Sequence, residues 1–68
     1  MRNWSLVLST GSPHEAELVK GLLENHGISA VVMDEGSSAY PHLGEKRIYV
    51  DQDELVRAKH LVSKHRDQ

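Results

Sequence analysis

Ser12-Pro13-His14-Glu15-Ala16-Glu17-Leu18-Val19-Lys20-Gly21-Leu22-Leu23-Glu24-Asn25-His26-Gly27-Ile28 carries the signals for both ends of one helix. Ser12 suits the N-cap, because its hydroxyl can accept from the N–H of Glu15. Glu15 can reach back to the N–H of Ser12 and close a capping box. Pro13 falls at the first helical position, where its missing N–H costs nothing. Gly27 suits the left-handed position just past the end. Between these marks Ala16, Val19, Leu22, Leu23 and His26 recur at helical spacing and form one stripe, with Gly21 off it.

Working outward, Trp4-Ser5-Leu6-Val7-Leu8-Ser9 alternates in the strand period, which puts Trp4, Leu6 and Leu8 on one face. Ile28 to Met33 is apolar and β-branched and reads as a second strand. A polar loop runs from Asp34 through Lys46, and Arg47 to Val50 reads as a short third strand. Asp51 then caps a second helix, with Glu54 three residues on and Val50 and Leu55 at the positions of a hydrophobic staple. Leu55, Ala58, Leu61, Val62 and His65 form its inward stripe, and Val56 falls outside it.

Sixty-eight residues make one domain, 1–68, with a thin core. The order β-α-β-β-α predicts an α+β, ferredoxin-like sandwich, a three-stranded sheet with two helices on one face. The expected strand order is 2-3-1, with 1-2-3 the runner-up. The chain has no cysteine, so no disulfide, thiolate metal site or cysteine nucleophile. Lack of cysteine and of an apolar leader fits a cytoplasmic protein. The longest apolar run, Ala30 to Met33, is too short to span a membrane. A net charge of −2 argues against binding led by nucleic-acid phosphates.

Trp4, the run Ser12 to Ala16, Leu22-Leu23-Glu24-Asn25-His26-Gly27-Ile28, the pair Asp34-Glu35, and Ile48-Tyr49-Val50 before an alanine-bearing last helix together resemble one family. It is a small bacterial domain family of unknown function, described as putative prokaryotic signal-transducing proteins and compared with the PII-like nitrogen-regulatory fold. The resemblance covers nearly the whole chain and implies a regulator that binds a small ligand or a protein. No Gly-rich phosphate loop or Walker lysine is present, so no functional residue is carried over from PII proteins and no cofactor is expected.

Five histidines are the obvious candidates for chemistry. His26 and His65 end the two helices on their apolar stripes, and antiparallel helices would set them at opposite ends. The topology would gather His14, His42 and His65 with Asp34-Glu35 at one end of the sheet. Imidazoles and carboxylates suit zinc, which makes a metal-binding domain the alternative reading. The spacing matches no compact metal motif, and both histidines at helix ends also read as core-edge packing. No serine sits in a nucleophile elbow, so an enzyme is not expected.

Two surfaces are free for partner binding. In the 34–46 loop, Tyr40 and His42 place an aromatic ring and an imidazole beside Pro41 and Leu43, either as a docking element or as a lid over the core. On the sheet, strict alternation would turn Val7, Val31, Met33 and Tyr49 away from the helices as an apolar patch, with Arg47 at its margin. The first strand has no proline or lysine along its edge, which predicts a homodimer through that edge or through the open sheet face. The resulting expectation is a non-enzymatic binding module for a protein partner or small ligand.

Overall fold

The computed structural model describes residues 3–34 and 45–66. Three strands, β1 (Trp4–Thr10), β2 (Ala30–Asp34) and β3 (Lys46–Asp51), form one sheet, with helices α1 (Pro13–Asn25) and α2 (Leu55–Arg66). A 3₁₀ turn, Gln52–Glu54, leads into α2. The sheet order is β1-β3-β2, the expected 2-3-1 read from the other edge. Both outer strands run antiparallel to β3 and therefore parallel to each other. This is the α+β, ferredoxin-like arrangement that the sequence predicts.

The ends of α1 follow the local signals closely. The Glu15 N–H donates to Ser12 Oγ at 3.1 Å. The other half of the capping box is replaced, because the Ser12 N–H donates to Thr10 Oγ1 instead of Glu15. At the far end Gly27 has φ of 79°, its N–H donates to the Glu24 carbonyl, and the Ile28 N–H donates to the Leu23 carbonyl. That is a Schellman closure. Leu23 and Ile28, which bracket it, are both buried in the core. Asp51 caps the second helical segment through its Oδ1, which accepts from the Asp53 N–H. The chain enters α2 through the 3₁₀ turn rather than directly, so Glu54 is free of capping and accepts from Arg57 instead.

One core cluster joins α1 (Ala16, Val19, Leu23), α2 (Ala58, Val62) and the sheet (Leu8, Ala30, Ile48, Val50). Val50 is fully buried and Leu55 packs partly buried against the same cluster, as the staple requires. Leu61 joins the edge of this cluster, whereas Val56 and His65 are exposed.

The departure from the sequence reading lies in β1. Its register on β3 pairs Trp4 with Asp51, Ser5 with Val50 and Leu6 with Tyr49, then skips Val7 and pairs Leu8 with Ile48. The extra residue is a β-bulge, and it turns the strand over. Strict alternation would put Trp4 and Leu6 on the helix face with Leu8. They instead share the face of Tyr49, while Leu8 and the bulged Val7 pack on the core. The neighbours Val7 and Leu8 can both pack on the core face only because one position is added to the strand.

Gly21 inside α1 and Gly27 just past its end predict opposite responses. Gly27→Ala should destabilise the fold by about 1 kcal/mol, because the open space beside it does not relieve a positive φ. Gly21→Ala, mid-helix with nothing within 4 Å of the added carbon, should stabilise it by up to about 1 kcal/mol. Urea unfolding of both variants checks the pair; equal signs would contradict the assigned backbone.

Candidate functional site

The face of the sheet turned away from the helices follows from the register. Leu6, Tyr49 and Val31 align across the three strands, Met33 lies beside Arg47, and Trp4 stands beside Asp51. Six large apolar side chains are exposed among the described residues, and four of them, Trp4, Leu6, Val31 and Met33, are on this face. Antiparallel sheets tolerate one wet face, but that face is then usually polar. Here the centre is apolar, and polar groups (Ser9, Arg47, Asp51) lie around it.

Trp4, Val31, Met33 and Tyr49 line a shallow hollow of about 230 Å³. Sites that bury a small molecule usually enclose roughly 300–1,000 Å³. The hollow is smaller than that and offers almost nothing polar to orient a metabolite. It fits the insertion of an apolar side chain better than the enclosure of a cofactor.

A second concavity of about 540 Å³ runs between α1 and the outer side of β2. Ala16, Glu17 and Lys20 form its helix wall, and Val31, Asp34 and Lys46 its sheet wall. Lys46 Nζ donates to Asp34 Oδ2 at 2.6 Å, closing one end with an ion pair. Val31 lines both the hollow and this trough, which places it at the corner between the open face and the sheet edge.

Of the partner-binding residues expected from sequence, Val31, Met33 and Tyr49 meet at the hollow. Val7 does not belong to it, because the bulge directs it to the core. Trp4 and Leu6 join the open face in its place, and the Leu6-Val7-Leu8 run was the signal that could have found them. Tyr40 and His42 lie outside the described residues.

His14 is exposed in the first turn of α1 and His65 is exposed near the end of α2. His26 Nδ1 lies 2.9 Å from the Leu22 carbonyl, as a ring hydrogen-bonded within its own helix. His26 and His65 both border a groove between α1 and α2, together with Leu22, Leu61 and Lys64. No three His, Asp or Glu side chains among the described residues come together in a way that could hold a metal ion. None of the helices among these residues is long and apolar enough to cross a membrane.

With the geometry in place, comparison with protein families gives one match. A family model described as "Putative prokaryotic signal transducing protein" covers residues 4–65, nearly the whole chain. The chain belongs to this family. Neither the curated proteins nor the solved structures contain a match. Membership agrees with the resemblance read from the sequence and carries a signalling description, without a ligand or a partner.

The bulge separates two neighbouring positions by stability. Val7→Ser should cost about 1–2 kcal/mol through lost core packing, whereas Leu6→Ser should change stability by less than about 0.5 kcal/mol. Urea midpoints of the two variants measure this, and a larger loss at Leu6 would restore the unbulged register.

Proposed function

We propose that this family member is a non-enzymatic regulatory module that binds a protein partner through the open face of its sheet. The observation that carries the reading is the concentration of exposed apolar side chains there. A contiguous apolar patch rimmed by polar groups is the usual mark of an interaction surface. The occupant that fits is a partner segment presenting an apolar anchor to the hollow between Trp4 and Met33. Volume supports a side chain over a metabolite. The signalling description of the family is consistent with a protein that acts by being bound.

The energetic scale is adequate for regulation. Half-exposed Trp, Met and Tyr side chains are the types that dominate interface energies, and one well-seated anchor contributes about 2 kcal/mol or more.

Trp4 is the only tryptophan in the chain and lies in the hollow, so it reports directly on occupancy. Crosslinked partners from a native extract should be lost with Met33→Glu and retained with Val56→Glu, an exposed position on α2. The recovered partner, once purified, should shift Trp4 emission to shorter wavelength on titration. Equal capture by both variants, or binding without any change at Trp4, would move the site elsewhere.

A further inference from the structure

The two edges of the sheet are guarded differently. β1 carries the bulge at Val7, a common device against edge pairing. β2 lacks this device. Its register on β3 is unbroken from Ala30–Val50 to Asp34–Lys46, and Ala-Val-Val-Met-Asp contains no proline or lysine. No strand covers its outer side among the described residues. The structure thus shifts attention from the β1 edge, where the sequence predicts pairing, to the β2 edge.

The trough beside β2 indicates what fills it. Glu17 is exposed and Lys20 half-buried on its helix wall, three positions apart on α1. A two-fold axis passing beside β2 would run two copies of α1 antiparallel along the seam. Opposite charges three positions apart then become complementary to themselves, since each Glu17 approaches the partner's Lys20 and each Lys20 the partner's Glu17. A strand from an unrelated protein would have no reason to meet that pattern.

We infer that two copies of this chain join edge to edge through antiparallel β2 strands, forming one six-stranded sheet. Such isologous pairing is the commonest form of small oligomer, and a thin domain gains from it a core it cannot build alone. The seam also changes the open face. Val31 and Met33 sit on the paired edge, so their counterparts in the second copy arrive beside them on the same face. The hollow at Trp4 and Tyr49, open in one copy toward β2, acquires a wall from the other. The pairing itself does not depend on the proposed partner of the open face.

The test is a charge exchange. The wild-type chain should sediment at twice 7.6 kDa at high micromolar concentration. Glu17→Lys and Lys20→Glu should each keep native circular dichroism and weaken self-association by roughly tenfold, because both symmetry-related pairs become repulsive. Mixing the two variants should restore a dimer, now a heterodimer, since every cross-seam pair is again attractive. Alternate β2 amides should exchange slowly in the dimer and quickly on dilution. A wild-type monomer at all concentrations would overturn the inference. So would a dimer unaffected by either charge change but lost with Leu6→Lys, which would assign association to β1 or the open face.

Discussion

β3 is the element on which the rest is arranged. Among the described residues it is the only strand paired on both sides, and its inward residues Ile48 and Val50 are completely buried. With a core this thin, two fully buried β-branched side chains contribute about 1.5–3 kcal/mol each, a large part of the stability a small domain can have. Their position fixes the neighbours. α1 must cross from β1 to β2 over β3, and α2 must return across the same face, for the two helices to cover Ile48 and Val50 together.

The side of β3 that the helices do not cover is the consequence. Tyr49 lies there between Leu6 and Val31, and the bulge adds Leu6 and Trp4 to a face that simple alternation would leave less apolar. The same irregularity serves the core, because it allows Val7 and Leu8 both to pack against it. One inserted residue therefore strengthens the interior, enlarges the open apolar face and protects the β1 edge. The proposed function accordingly rests on the open face and on the opposite edge, β2.

A long-range contact holds the helices in relation to each other. Arg57 of α2 donates from Nη2 to the His26 carbonyl at 2.8 Å, and from Nη1 to Glu54 at 3.3 Å. It thereby satisfies a carbonyl at the end of α1 that the helix cannot satisfy itself. Cations near a helix C-terminus are favoured by the helix dipole, and here the cation comes from the other helix. Nothing in the local sequence around His26 announces this partner, because it lies 31 positions away.

Much of the fold was legible because its signals are local. Ser12, Pro13 and Gly27 act within a few bonds of the backbone groups they satisfy, so a sequence of neighbours suffices to place α1. The apolar periods of Ala16-Val19-Leu23 and Ala58-Val62 likewise specify which faces are buried, since each element must hide its own stripe. The fold order and the patch residues Val31, Met33 and Tyr49 follow from the same rule. Tertiary structure alone decided the turn of β1. A bulge depends on how one strand meets another, and alternation within Trp4 to Leu8 is blind to its partner's register. It also decided that Glu54 answers Arg57 rather than a cap, and which edge strand carries the bulge. Those outcomes belong to pairs of segments distant in the chain, where geometry, rather than neighbouring residue type, sets the energy.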